Sequence, residues 1–198
     1  SASRLDDKIA WYENDGAANP TWTAATIATS ADNATFVYVA DMDNDGDLDI
    51  VSASQDDDAI AWYENDGAAD PSWAAADIAT SADAPQSVFV ADMDGDGDMD
   101  IVSASYSDDT IAWYKNTSAP GGINGWTATN ISGSNTDGPS SVFTIDLDQD
   151  GDIDIISASK FDNKVSWFKN DGATNPSFTF YGNISPTANA NSVRSVYA

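Results

Sequence analysis

Hydrophobic and polar positions alternate in short bursts along this chain, and no window carries the three-and-four spacing of an amphipathic helix. Residues 87–92, SVFVAD, alternate and are rich in β-formers, and a loop crowded with aspartate follows them. Then come DIVSAS at 100–105, TIAWYKN at 110–116 and, beyond a Gly/Pro turn, WTATNI at 126–131. The pattern predicts four short strands separated by turns.

The same order recurs through the chain. WYENDG at 11–16 returns at 62–67, as WYKNTS at 113–118 and as WFKNDG at 167–172, at spacings of 51, 51 and 54 residues. The aspartate clusters at 41–49, 92–100 and 146–154 keep step, and the longer third interval contains the turn APGGING at 119–125. Four strands in a unit of roughly 50 residues are the mark of a β-propeller blade. The expected fold is therefore all-β, a β-propeller of four-stranded blades with about four repeats per chain. It reads as a single domain, 1–198, with units at about 1–33, 34–84, 85–137 and 138–191 and a closing strand at 192–198. Blade faces pack on both sides, so consecutive Trp and Tyr can both be buried. Trp22, Trp73, Trp126 and Phe178 also recur once per unit and read as packing residues. NDG supplies a hairpin turn that tolerates positive φ.

Aligned on the tryptophans, Ser1 corresponds to Ser52 and Ala198 to Val39. Residues 1–29 then supply three strands of a blade, and SVRSVYA at 192–198 its innermost strand. Sharing one sheet would close a four-bladed ring within a chain, or an eight-bladed ring between two chains of a homodimer. An excised piece of a longer array is the plainer alternative.

Charge narrows the partners. Among 198 residues there are 33 acidic and 7 basic ones, a net charge of -26, and only Glu13 and Glu64 are glutamates. Such a polyanion is repelled by nucleic acid and by anionic lipid. With no cysteine and no histidine, disulfides, thiolate or imidazole ligands and nucleophile–imidazole dyads are excluded. No apolar run approaches a membrane span, and the start, Ser1-Ala2-Ser3, does not read as a signal peptide.

Each loop places aspartate at positions 1, 3, 5, 7 and 9 and glycine at position 6. The candidate metal residues are Asp41, Asp43, Asp45, Asp47 and Asp49; Asp92, Asp94, Asp96, Asp98 and Asp100; and Asp146, Asp148, Asp150, Asp152 and Asp154. Two bare carboxylates about 4 Å apart repel by roughly 4 kcal/mol at an effective dielectric near 20, so convergence calls for a cation. Oxygen ligands at 1, 3, 5 and 9, a backbone carbonyl at 7 and a sharp turn at 6 suit calcium's flexible coordination better than magnesium's octahedron. Three Ca2+ sites are expected. The loop is not an EF-hand, because position 12 is Ser52, Ser103 or Ser157 and no helices flank it.

DxDxDGDxD followed by a hydrophobic strand resembles the FG-GAP/VCBS repeat, and the resemblance covers essentially the whole chain. That repeat builds the calcium-bearing propeller of integrin α-subunit heads and of secreted bacterial and fungal proteins, fungal lectins among them. The resemblance implies that each calcium loop joins a blade's innermost strand to its second strand. It further implies an extracellular or cell-surface, non-catalytic recognition or adhesion module binding a glycan or a protein. A structural or self-assembling module of a larger surface protein is the alternative. A calcium-dependent polysaccharide-degrading enzyme ranks third, since nearly every aspartate is explained by its repeat position. The residues that depart from the repeat include Arg4, Lys8, Lys115, Lys160, Lys164, Lys169 and Arg194. Lys160 and Lys164 fall near the N-terminal SASRLDDKIAW, an arrangement that would cluster positive charge on two blades; solubility and charge compensation are the plainer reading. Triplets of the glycosylation type at Asn33, Asn116, Asn130 and Asn183 carry little weight.

Overall fold

A computed structural model describes residues 1–118, 125–184 and 192–197. All of the turn expected at 119–125 except Gly125 lies outside the described residues, as does Ala198. The chain folds into four antiparallel sheets in sequence order. The first holds β1 (Ala2–Ser3), β2 (Lys8–Asn14) and β3 (Trp22–Ala28). The second holds β4 (Ala34–Ala40), β5 (Asp49–Ser54), β6 (Ala59–Asn65) and β7 (Trp73–Ala79). The third holds β8 (Pro85–Ala91), β9 (Asp100–Ser105), β10 (Thr110–Asn116) and β11 (Trp126–Asn130). The fourth holds β12 (Pro139–Ile145), β13 (Asp154–Ser159), β14 (Lys164–Asn170) and β15 (Phe178–Asn183).

Stacking of the sheets explains the composition of the strands. β5, β9 and β13 are buried at every residue, because both their faces are covered. In each, Ile and Val or a second Ile are followed by Ser-Ala-Ser, whose small side chains let neighbouring sheets approach closely. In register, Val51 pairs with Trp62 and Ile50 with Tyr63, so the two aromatics point to opposite faces. Trp62 packs forward with Tyr114 of the third sheet, and Trp113 forward with Phe168 of the fourth. Tyr63 packs backward with Ile9 of the first sheet. Full burial of one such side chain stabilises the fold by about 1.5–3 kcal/mol.

The ends of the stack depart from expectation. Tyr12 is 51% exposed, against 5% for Tyr63 and Tyr114, because no cluster of buried residues covers its side of the first sheet among the described residues. At the other end, Trp167 packs against Tyr181 with ring centroids 4.3 Å apart, and Tyr181 is itself 65% exposed. No closed ring is found among the described residues, and the first sheet has three strands.

Residues 192–197 form no strand, yet they lie beside β12. The Val196 N–H donates to Ser141 Oγ at 3.3 Å, just as the Val142 N–H donates to Ser87 Oγ at 3.4 Å. Tyr38, Phe89, Phe143 and Tyr197, at equivalent repeat positions, form a continuous row with centroid separations of 4.7, 4.8 and 5.8 Å. The segment therefore stands next to β12 as β12 stands next to β8.

Candidate metal centres

Each aspartate loop connects the end of a sheet's first strand to the start of its second, in β4–β5, β8–β9 and β12–β13. Position 2 anchors the entry, with Met42 and Met93 buried at 1% and 2% exposure. Position 9 anchors the exit. Asp49, fully buried, accepts the Met42 N–H on Oδ2 at 3.1 Å and the Asn65 N–H on Oδ1 at 2.8 Å. Asp100 accepts from Met93 and Asn116 at 3.2 and 2.7 Å, and Asp154 from Leu147 and Asn170 at 3.3 and 2.8 Å. These carboxylates lock the loop to the end of the third strand, and each oxygen keeps a second lone pair. Burial pushes Asp49 and Asp100 up to about 6, against the downward pull of the amides. The Trp62 indole also favours the Asp49 carboxylate, without reaching hydrogen-bond geometry.

Inside the loop, position 1 gathers backbone amides. Asp41 accepts from Asp45 and Gly46 at 3.1 Å, Asp92 from Asp96 and Gly97 at 3.1 and 3.0 Å, and Asp146 from Asp150 and Gly151 at 3.1 and 3.0 Å. The turn at position 6 takes φ of +98°, +95° and +101° at Gly46, Gly97 and Gly151, a conformation that suits glycine alone. Carboxylate oxygens consequently converge in three places: Asp41, Asp43 and Asp45; Asp92, Asp94 and Asp100; Asp146, Asp148 and Asp150, with the atoms of each group within 4.8 Å of one another. The remaining predicted residues stand outside these triads. Asp49 and Asp154 serve as the clamps just described. Asp96 accepts the Asp98 N–H at 3.1 Å, and Asp98 accepts Asn44 Nδ2 at 3.3 Å. Asp47 and Asp152 press against Gly67 and Gly172, where an added Cβ would fall 2.1 Å from an Oδ2. Ser52, Ser103 and Ser157 are fully buried in the second strands, away from the triads.

The FG-GAP-like repeat matches the chain four times, at residues 1–52, 41–103, 92–157 and 146–198. The chain belongs to the FG-GAP-like repeat family. Each FG-GAP-like match after the first opens on position 1 of an aspartate loop, so the loop is the boundary between overlapping copies. Comparison with curated proteins yields no match.

Two side chains at the FG-GAP-like loops escaped the spacing argument. Lys115 Nζ contacts Asp94 and lies 3.2 Å from Asp96, and Lys169 Nζ contacts Asp148 and lies 2.9 Å from Asp150. Glu64 holds the corresponding place in β6. The only signal in the sequence was that these lysines break the repeat. At the second and third triads their ammonium groups take the place of a cation beside the carboxylates. All-oxygen, anionic donors on a tight turn fit a hard divalent ion. Such an ion would cancel the repulsion within each triad, and the triad residues would hold it.

The asparagine of the WYEN motif does more than shape a turn. Asn65 also donates from Nδ2 to the Leu48 carbonyl at 3.1 Å, and Asn170 to the carbonyls of Ile153 and Met93 at 3.0 and 2.9 Å. It ties the third strand to its own loop and, at Asn170, to the loop before.

Proposed function

We propose that this chain is a calcium-stabilised β-propeller module that works outside the cell as a non-catalytic recognition or adhesion unit, with a glycan or a protein as its ligand. The observation that carries this reading is the recurrence of a carboxylate triad at the aspartate loop of three consecutive repeats, from positions 1, 3 and 5 in two of them and 1, 3 and 9 in the other. A cation there fastens first strand to second strand, and so has a structural task in every copy. Calcium is favoured over magnesium because the triads differ in membership, which a flexible coordination sphere tolerates. Dependence on calcium suits a calcium-rich, extracellular setting. The aspartates are absorbed by loops and turns, which supports binding rather than catalysis. A glycan array probed with calcium-loaded protein tests recognition; silence across neutral and acidic glycans, with no protein partner captured, would remove it.

A second reading is a self-assembling module, and the ends of the stack favour it. The first sheet is one strand short and leaves Tyr12 half exposed, while Tyr181 is open at the far end. Those faces suit closure onto each other in a four-bladed ring, or onto a second chain in an eight-bladed homodimer. Light scattering at the molar mass of one chain supports the former, and at twice that mass the latter. A polydisperse sample rejects both.

A further inference from the structure

Four of the chain's seven basic residues hold an aspartate in an ion pair: Lys8, Lys115, Lys164 and Lys169. Among the described residues, Arg4, Lys160 and Arg194 have no such partner, in a chain with 33 acids. All three line a single cavity of about 400 Å³, and no carboxylate lines it with them.

The repeat explains how they meet. Arg4, Gln55, Tyr106 and Lys160 occupy one repeat position, immediately after β1, β5, β9 and β13, so every repeat contributes one of them. Gln86, Ser140 and Arg194 occupy a second position, at the start of β8, of β12 and of the segment 192–197 that stands beside β12. The cavity thus opens at the strand ends opposite the aspartate loops; the turns around it carry aspartates of their own, Asp56 and Asp162 among them, but none of these enters its lining.

Neutral hydrogen-bonding groups position the cations. Arg4 donates to Asn33 Oδ1 at 3.0 Å and to Gln55 Oε1 at 2.9 Å, and Gln86 Nε2 donates to the same Gln55 oxygen at 2.9 Å. Lys160 donates to the Tyr106 hydroxyl at 3.0 Å and sits 5.1 and 5.4 Å from the ring centres of Tyr106 and Phe161. These contacts orient the charges and leave them uncancelled. Charge compensation, the reading suggested by sequence, would set each cation on an aspartate, as the other four lysines are set.

We infer that this cavity is a binding site for a small hydroxylated anion, an acidic sugar of the hexuronate or sugar-sulfate class. Its volume lies in the range of small-ligand pockets, roughly 300–1,000 Å³. The guanidinium groups of Arg4 and Arg194 suit a carboxylate or sulfate, which arginine binds in a planar, two-pronged fashion. Amide and hydroxyl groups of Gln55, Gln86 and Ser140 suit sugar hydroxyls. An extended polyanion is disfavoured, because a net charge of -26 repels it before it reaches the cavity. The inference rests on the recognition reading and adds the site and the charge of the ligand.

Isothermal titration of the full calcium-loaded chain tests it, with methyl glucuronide, glucose 6-sulfate, methyl glucoside and inorganic sulfate as probes. The acidic sugars should bind at least about 10-fold more tightly than methyl glucoside, and added salt should weaken them. Arg194→Ala and Lys160→Gln should each weaken them about 10- to 100-fold, while Lys8→Gln leaves them unchanged. Thermal melting checks that each variant folds, and the charge-keeping Arg194→Lys and Lys160→Arg should retain binding where Arg194→Ala and Lys160→Gln lose it. The inference is overturned if methyl glucoside binds equally well, if the two variants bind as the parent does, or if neither acidic sugar binds. Inorganic sulfate binding as tightly as the sugars overturns the saccharide assignment. A positive glycan array unaffected by either variant would sink the cavity and leave the recognition reading standing.

Discussion

Removing calcium should lower the melting temperature steeply, and the first loop should feel it most. The triad oxygens lie within 4.8 Å of one another. At that distance and an effective dielectric near 20, each carboxylate pair repels by about 3.5 kcal/mol, or about 10 kcal/mol for three pairs held rigidly. Side chains swing apart when the ion leaves, so the measurable loss is the binding free energy. For a site of ~10 μM affinity in ~1 mM calcium, that is about 2.7 kcal/mol. At about 2–4 °C per kcal/mol for a chain of this size, one site accounts for about 5–10 °C and three for about 15–30 °C. Lys115 and Lys169 cushion the second and third triads, whereas Glu64 stands at the corresponding position for the first. Asp43→Asn should therefore abolish one calcium equivalent and lower the calcium-loaded melting temperature by one site's share. Lys115→Met should destabilise only the calcium-free protein. Circular dichroism melting in calcium and in EDTA at matched ionic strength, with calorimetric counting of bound ions, measures both effects. Equal melting temperatures in the two buffers, or fewer than three bound ions in parent protein, would refute the reasoning.

Further perturbations separate the contributions to the fold. Gly67→Ala should destabilise more than Gly16→Ala: both need positive φ, but only at Gly67 would the new Cβ meet Asp47, at 2.1 Å, for a loss of about 1–3 kcal/mol by chemical denaturation. Trp62→Ala, at a buried seam, should cost about 3–5 kcal/mol. Tyr12→Ala should cost less than about 1 kcal/mol in a monomer and more if a second chain covers that face. For pH, the Ser72 hydroxyl and the Ala68 and Ser72 amides hold the Asp66 carboxylate below its ordinary range, and Ser177 does likewise for Asp171. A depressed folded-state value means this stabilisation is present above the ordinary aspartate range and is lost as pH falls through the lowered one. Asp66→Asn should therefore flatten the acid limb of a stability-against-pH curve, leaving its neutral slope unchanged.

Strand order was legible because alternation and turn residues act locally: DIVSAS at 100–105 and TIAWYKN at 110–116 coincide with β9 and β10. The first strand of that sheet begins at Pro85, two residues before the alternating run, since pairing with Ser105 extends it. Burial of both aromatics of a Trp–Tyr pair holds at Trp62–Tyr63 and fails at Tyr12, because a repeat motif does not encode which copy ends a stack. Convergence of the aspartates followed from spacing. Their division into triads and clamps did not, since it depends on amides such as that of Asn65, sixteen residues beyond Asp49. Lys115 over Asp94 was likewise hidden. That Arg4 and Lys160 line one cavity was legible in part, as both follow the tripeptide SAS and their repeats read as sharing a cluster of positive charge; the place of Arg194 beside them was not.

The seams between sheets are interchangeable: Trp62 meets Tyr114 as Trp113 meets Phe168. The aromatic part of the junction is thus common to both seams. Gene duplication or loss of a whole unit would then alter the number of copies while keeping this aromatic pairing, so length in such a chain is a variable that heredity can adjust in single steps.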